Sequence, residues 1–524
     1  MPTRSDNEER TVYELLEWIA RHAPGVESAQ QALADIQTTH PEWEPSDYPD
    51  FLMWSRTGTW LPTRHGDPDE LIAKLDEDPV GAVGNLADFP LHRDADLDEF
   101  DRDDALRWLR NTVEARPEIG IKVLDVLTDP RVPDDSRFGQ QLAEAVLGPW
   151  ASAEYDDSFY ENITARLPDI WNTGIVNWNM GSGISGGGID WLTQAINHWS
   201  GNVARITLRL IDHEYQRTGD DWAGLDEQMK SLMETIIAGS DLASNLAQVV
   251  LAGRAGFLFA IDEQWTNEKV QPLLDPKVNK DRAVRCWDGF LTTGGASPKM
   301  LETNLLDLYI DMARHFEQPD TANDRLYYQH LAAIALFSGI NPVEQGWLNQ
   351  FTAVANEDGR VRWIQAVTSY LSEMPDQSVD AQWDVWMRAY WSNRLGSTPL
   401  DMTDPEAGSL ANWAVYLKDR FPKAVELACR HKASIEGHPM IVWTLRGRSH
   451  QPETTNHLIA HPEHVGRLLT HMLTCTKTLP PIGMSTLQSD LSVVLPQLLD
   501  VLDDRQSSAL RGQAVRLGIP IHTD

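Results

Sequence analysis

The chain contains only three cysteines in 524 residues, Cys286, Cys429 and Cys475, and they lie far apart in the sequence. This number and spacing exclude a disulfide framework and a thiolate zinc site. Free, buried thiols in a reducing compartment fit the pattern best. We therefore expect a cytoplasmic protein.

Long apolar runs are also missing. No uninterrupted apolar segment approaches the roughly 20 residues that a membrane-spanning helix needs. The first ten residues, MPTRSDNEER, are polar and charged, and no apolar stretch follows a basic start. These features predict a soluble protein with no membrane partner.

Basic residues are scarce, because 44 lysines and arginines stand against 78 aspartates and glutamates, a formal net charge of −34. A field of that sign repels phosphate backbones, so nucleic-acid binding would need a local basic patch. The densest basic stretches, RHKAS and RGRSH, are short. We expect no nucleic-acid partner.

Alternating strand patterns are scarce too, whereas helical periodicity runs through most of the chain. In MLETNLLDLYIDMARHF, Leu301, Leu305, Leu308, Met312 and Phe316 recur every three or four residues and form one stripe. Helices of about 10 to 20 residues, joined by short breaks, predict an all-α protein. Because no strict repeat period is visible, we expect an irregular α-solenoid of HEAT-like stacked helical pairs. Most of the 20 tryptophans are expected in its core.

Composition divides the chain into four predicted regions. Residues 1–66 carry helices and an aromatic, proline-rich segment, and residues 67–170 are helical and acidic. Residues 171–374 are the predicted central α-solenoid, and residues 375–524 a C-terminal helical domain. The break MPDQSVD and the segment LGSTPLDMTDPEAGS, interpreted as a linker, frame this last region.

Two catalytic-looking patterns overlap in NMGSGISGGGIDWL, residues 179–192. Gly181, Gly183 and Gly186 spell the dinucleotide fingerprint G-x-G-x-x-G, and Ser185 lies at the centre of G-x-S-x-G, the nucleophile elbow. Each pattern has a function only when a strand leads into the glycine turn. The patterns therefore have to be judged by the residues before them.

The preceding residues, WNTGIVNWN, contain only Ile175 and Val176 as adjacent aliphatics, which is poor support for a buried strand. Asp190 is expected to be an N-cap or first-turn acid of a following helix. An inter-helix loop is therefore the favoured interpretation, and a hydrolase with a helical-scaffold active site near residues 181–188 is kept as an alternative.

The favoured interpretation makes a direct prediction about this loop. Replacing Gly183 and Ser185 together by alanine should leave stability nearly unchanged, because a connecting loop contributes little to the core. Calorimetric titration of the protein with NAD or ATP should show no heat. Micromolar binding that disappears in the double variant would contradict the prediction.

The sequence supports a metal site no better than it supports a nucleotide site or a catalytic serine. Residues 94–104, DADLDEFDRDD, begin like a calcium loop, but Glu99 replaces the required glycine and Ala105 the required glutamate. We expect an acidic loop that leads into a helix at Ala105. His213 and Glu214 lack the second histidine of H-E-x-x-H.

The remaining histidine pair is His461 and His464, spaced i, i+3 near a predicted helix start with Glu463 between them. A capping or surface role is favoured over metal ligation. No G-x-x-x-x-G-K-[ST] loop occurs in the sequence. We therefore predict no catalytic residue, no cofactor and no metal site, and a chain that is not an enzyme.

The C-terminal third carries a resemblance to a known family. Its features are the tryptophan-rich helix WDVWMRAYWSNRLG with proline soon after, a second helix with Trp413 and Leu417, and the motif FPKAVELA. This region resembles a C-terminal helical domain of unknown function found in bacterial anti-phage defence proteins with sirtuin-like or STAND NTPase modules. The resemblance is clearest over about residues 380–518 and looser over 40–55 and 187–318.

The resemblance implies a non-catalytic protein-binding or sensor module that acts with an effector. The partner would be an effector subunit or a phage protein. Because the chain has no nucleotide loop, the effector would be either another part of a longer protein or a separate partner. A structural oligomerisation scaffold is the third hypothesis, and composition does not separate it from the sensor.

Overall fold

A computed structural model describes most of the chain. The described residues are 13, 16, 20, 27–40, 43, 68–87, 102–129, 136–178, 190–315, 322–435, 441–446, 455–477 and 481–519. Throughout these ranges every regular element is a helix and no strand is present, which confirms the all-α prediction. Contacts divide the chain into two compact units, Met1–Leu71 and Ile72–Asp524. The four regions expected from composition stay a prediction.

The first unit contains one complete described helix, α1, at Glu27–Thr39. Three aromatic residues cluster beside it in this unit. The Tyr13 hydroxyl donates to the Trp43 carbonyl at 3.2 Å, and the His40 ring stacks on Trp43 with centroids 3.9 Å apart. The rest of the aromatic, proline-rich segment that the sequence singles out lies outside the described residues.

The following helices extend from the boundary of the two units through the first half of the larger one. In chain order they are α2 Pro68–Glu77, α3 Pro79–Ala87, α4 Arg102–Ala115, α5 Pro117–Leu127, α6 Ser136–Trp150, α7 Asp157–Asn177, α8 Trp191–Asn197, α9 Trp199–Thr218, α10 Glu227–Ala238, α11 Leu242–Gly253, α12 Ala255–Ile261, α13 Glu263–Trp265 and α14 Lys280–Thr293. A π-turn at Thr266–Val270 extends α13, and helix α4 begins three residues before the predicted start at Ala105.

The second half of the larger unit is helical in the same way. Its helices are α15 Pro298–Met300, α16 Leu306–Met312, α17 Ala322–Phe337, α18 Trp347–Val354, α19 Glu357–Glu373, α20 Asp376–Gln382, α21 Arg388–Leu395, α22 Asp404–Ala414, α23 Phe421–Ala428, α24 Ile441–Leu445, α25 His457–Ala460, α26 Pro462–Cys475, α27 Pro481–Leu499 and α28 Asp504–Arg516. π-Turns at Leu301–Leu305 and Trp383–Met387 join α15 to α16 and α20 to α21.

The main helix contacts of this unit follow chain order. Helix α4 packs on α6, α6 on α9, α9 on α11, α11 on α14, and α14 on α17. The series continues from α17 through α19, α22, α23 and α26 to α28. In a solenoid each layer contacts only its neighbours. This succession is compatible with the irregular solenoid that the sequence predicts.

Carboxylates at the N-cap position determine where several helices begin. Asp156, Asp226 and Asp241 accept hydrogen bonds from backbone N–H groups in the first turns of α7, α10 and α11. Asp190 does the same for α8, accepting from the Thr193 N–H at 2.8 Å. These bonds satisfy donors that a helix start leaves unpaired. The N-cap role expected for Asp190 is confirmed.

The apolar stripe over Leu301–Met312 is buried as predicted. Leu305 and Met312 are fully buried, and Leu301 and Leu308 are 3% exposed. Phe316 lies outside the described residues. The tryptophans also behave as expected, because twelve of the 20 are buried among the described residues. Nine of these are almost completely buried: Trp150, Trp178, Trp199, Trp287, Trp363, Trp383, Trp386, Trp391 and Trp413.

The cysteines follow the prediction only in part. All three are free thiols, and Cys286 is buried in α14. The expectation of burial is wrong for Cys429 and Cys475, which stay partly accessible. Cys429 is the C-cap residue that follows α23, and it lines an open cavity with Arg430 and His471, so its surroundings are not core.

Among the described helices, none has by itself both the length and the apolar character to cross a bilayer. Helices α10 and α11 together have the length and the apolar composition of a membrane span, but the pair is bent by 119°.

Candidate functional site

Most of the glycine-rich segment, residues 179–189, lies outside the described residues. The residues on both sides of it are described. Ile175 and Val176 belong to α7, which runs to Asn177, and Trp178 follows it, fully buried against Trp199. A helix therefore stands where both catalytic patterns require a strand.

The other residues weighed in the sequence occupy ordinary helical positions. The His213 Nε2 atom lies 3.0 Å from a carboxylate oxygen of Asp157. His461 takes the N-cap position of α26 but makes no side-chain cap bond. Of the calcium-like segment, only residues from 102 onward are described. In the described ranges no group of three or more histidine, cysteine, aspartate or glutamate side chains could hold a metal ion.

A groove of about 890 Å³ opens between α7, the C-terminal half of α9 and the start of α10. The groove could not be predicted from the sequence, because its residues come from two segments that lie far apart, 157–165 and 210–229. The groove is rich in carboxylates, which face one arginine and one histidine. The carboxylates are those of Asp157, Glu161, Glu214, Asp221, Asp226 and Glu227.

The two basic side chains of the groove are already paired. The Arg217 Nε atom donates to Glu214 at 2.9 Å, and this bond raises the pKa of the guanidinium. His213 lies against Asp157, as described above, and its ring is 4.4 Å from that of Tyr160. Glu227 is also paired, with Lys230 at 3.9 Å. The other carboxylates give this surface a net negative charge that a cationic partner could satisfy.

Aromatic side chains form part of the same surface. Trp222 lines the groove, and its indole Nε1–H donates to the Ile261 carbonyl at 3.0 Å. Tyr215, 37% exposed, packs edge-to-face against Trp222 with centroids 5.4 Å apart. Fixed aromatic faces beside carboxylates can hold a lysine or arginine side chain through both ion pairing and cation–π contact.

A second notable arrangement is a buried ionic network between α19, α21 and α22. Glu406 is fully buried, and its Oε1 atom accepts from Arg360 Nε at 3.0 Å and from Arg394 Nη2 at 2.8 Å. Its Oε2 atom accepts from the Thr403 N–H at 3.0 Å. Burial acts to raise the pKa of Glu406, but the Thr403 N–H and the two guanidinium groups outweigh it and lower the pKa.

The segment interpreted as a linker is part of this network. The Arg394 guanidinium, fully buried, donates to the carbonyls of Thr398, Leu400 and Asp401. The interpretation of LGSTPLDMTDPEAGS as a linker is therefore wrong. A buried arginine needs acceptors, and the carbonyls of this segment supply them.

An aromatic cluster joins the same helices. The Trp363 ring lies 5.3 Å from Tyr390 and 6.0 Å from Trp413, and Trp386 lies 5.8 Å from Trp413. The Trp413 Nε1–H donates to the Ile364 carbonyl at 3.1 Å. These buried contacts assign the tryptophan-rich helix a structural role.

Comparison with known proteins gives one result for this region. Residues 340–474 match the model of a domain of unknown function, DUF4020. The match covers about a quarter of the chain and contains both the ionic network and the aromatic cluster. Searches of curated proteins and of solved structures gave no match. A domain of unknown function in the C-terminal part of the chain is thus confirmed.

Proposed function

We propose that this chain is a protein-binding sensor module of a bacterial anti-phage defence system, which acts with an effector domain or partner subunit. The acidic groove between α7, α9 and α10 is the observation that supports protein binding. The assignment to defence rests on the family resemblance of the C-terminal third. The bound species is a basic segment of a protein, from a phage component or from the effector.

Charge supports a basic partner. The groove carries six carboxylates, and its single guanidinium is paired with Glu214. The formal charge of −34 adds a long-range field that attracts cationic surfaces and speeds their encounter. Such attraction weakens as salt is added, because the Debye length falls to roughly 8 Å at physiological ionic strength.

The size of the groove favours binding of a side chain or a short peptide segment over binding of the face of a whole domain. The volume of about 890 Å³ lies within the usual range of ligand-binding clefts. Trp222 and Tyr160 provide apolar walls between the carboxylates. A lysine- or arginine-bearing segment that also carries an apolar residue fits this combination.

Reversing charge in the groove is expected to abolish its function without unfolding the protein. Glu161 and Asp221 are exposed and neither belongs to an ion pair within the described ranges, so Glu161→Lys with Asp221→Lys changes the groove alone. Affinity for the partner should fall at least about tenfold, since close charge pairs contribute roughly 1.5 kcal/mol or more. A photo-cross-linking residue at Ala165, also in the groove, measures occupancy in infected and uninfected cells.

The matched control is Glu302→Lys with Glu373→Lys, which changes the net charge equally at exposed positions away from the groove. In a strain deleted for the gene, the control should restore protection against phage and the groove variant should not. Equal protection by both variants would contradict the groove as the sensing surface. Turnover of a small-molecule substrate by the purified chain alone would contradict the non-catalytic assignment.

A further inference from the structure

A smaller cavity, of about 310 Å³, lies where α4, α6, α8 and α9 meet. It shares no lining residue with the acidic groove. Its polar lining differs sharply from the rest of this acidic chain, because it contains two arginines and three amides with one carboxylate. These side chains are Arg107, Arg110, Gln141, Asn197, Asn202 and Glu144.

Of the two arginines that line the cavity, Arg107 is paired with Asp104 at 3.0 Å, and Arg110 is the one that offers a free guanidinium. In the part of the chain that the structure describes, Arg110 makes no ion pair. Arg205 follows on α9, and its guanidinium bonds only neutral groups, Asn202 Oδ1 and Ser152 Oγ, each at 3.1 Å. Burial and the nearby charges of Arg209 and Arg110 lower the pKa of Arg205. Positive charge has therefore accumulated here in a chain of net charge −34.

Gly148 keeps the cavity open. A Cβ atom at this position would lie 3.7 Å from Arg110 Nη2 and 3.9 Å from Asn202 Nδ2, so the guanidinium and the amide converge on the glycine. Asn202 is 1% exposed and held by Arg205, which orients the amide before any ligand arrives. A single methyl group would fit at Gly148, whereas a larger side chain would occupy the cavity.

We propose that this cavity binds a small ligand carrying a phosphate group, with Arg110 pairing with the phosphate and the amides of Gln141, Asn197 and Asn202 bonding the rest. A guanidinium offers phosphate two parallel N–H donors, the strongest common arrangement for this anion. The volume admits a phosphorylated sugar and is too small for a macromolecular segment. This site is independent of the proposed function, because it uses none of the groove residues.

Glu144 makes the site sensitive to pH. Burial raises the pKa of this carboxyl to about 7, although Gln140 and the Trp199 N–H donate to it. The charged side chains that line the cavity with it are Arg107 and Arg110 from α4, and Arg107 is paired with Asp104. Arg205 lies beyond Asn202, and α8 presents only the neutral Asn197. The protonated acid can donate to an anion, whereas the ionised form repels it. Affinity should therefore fall as pH rises through this value.

The test is calorimetric titration of the full chain with ribose 5-phosphate and with sulfate, at constant ionic strength. Arg110→Ala and Gly148→Leu should each weaken binding at least about tenfold, since they remove the paired guanidinium or fill the space. Gly148→Ala and Arg388→Ala, the second an exposed arginine outside the cavity, should stay within about twofold of the wild type. Circular dichroism verifies that each variant is folded.

Sulfate provides the pH readout, because its charge is constant near neutrality. Its affinity should decrease from about pH 6 to pH 8 in the wild type and stay level in Glu144→Gln. The proposal is overturned if neither anion binds at concentrations up to about 10 mM. It is equally overturned if Arg110→Ala binds like the wild type, or if the wild-type affinity for sulfate does not change with pH.

Discussion

Glu406→Gln is expected to lower the free energy of unfolding by about 3–5 kcal/mol at neutral pH. The substitution removes the carboxylate that is paired with both the Arg360 and the Arg394 guanidinium groups. Arg394 is fully buried and Arg360 nearly so, so both charges would remain out of water without a counter-ion. Chemical denaturation of both proteins, followed by tryptophan fluorescence, measures the difference.

Glu426→Gln provides the matched control, since Glu426 is exposed on the neighbouring helix α23. It should change the free energy of unfolding by no more than about 0.5 kcal/mol. A loss below about 1 kcal/mol for Glu406→Gln would show that water or a rearranged side chain compensates the two arginines, and the network would not stabilise the fold as described.

The sign of the pH dependence follows from the lowered pKa of Glu406. A carboxyl with a depressed folded-state pKa contributes stability above its unfolded pKa and loses it as pH falls through the folded value. The difference between wild type and Glu406→Gln should therefore be largest at neutral pH and shrink in acid.

Leu305→Ala is expected to lower the free energy of unfolding by about 2–5 kcal/mol. Leu305 is fully buried at the end of the π-turn that joins α15 to α16, in the stripe that includes Met312. Removing its branched end leaves a space that a packed core fills only partly. Thermal and chemical unfolding of the variant measure the cost.

Glu302→Ala is the control for this change, because Glu302 belongs to the same turn but is exposed. We expect an effect within about 0.5 kcal/mol. If both substitutions cost the same, the stripe would not be a packed core element, and the periodicity argument that identified it would fail at this helix.

The fold class could be predicted because helices leave a pattern among residues that are close together in the sequence. Leu301, Leu305, Leu308 and Met312 recur at helical spacing, and a residue that must face the core every three or four positions leaves that pattern in the sequence itself. The start of α8 was predictable for a related reason. An N-cap such as Asp190 bonds the N–H three residues later, which is a local contact.

The candidate sites could not be predicted in the same way. Glu161, Glu214 and Asp226 each resemble ordinary surface acids in the sequence, and only the packing of α7, α9 and α10 brings them to one groove. Arg110 and Arg205 are 95 positions apart, and no linear basic stretch signals their proximity. The glycine pattern attracted attention because it is local, yet a helix precedes it.

By itself the sequence determined that the chain is helical, where stripes such as Leu301–Met312 lie, and that its overall charge is strongly acidic. Only the tertiary structure decided which helices meet, that the segment after Arg394 surrounds a buried guanidinium, and where charge concentrates into an acidic groove and an arginine-lined cavity. The physical reason is distance along the chain. Helix formation depends on residues three and four apart, whereas a binding surface depends on side chains that only folding brings within a few ångströms.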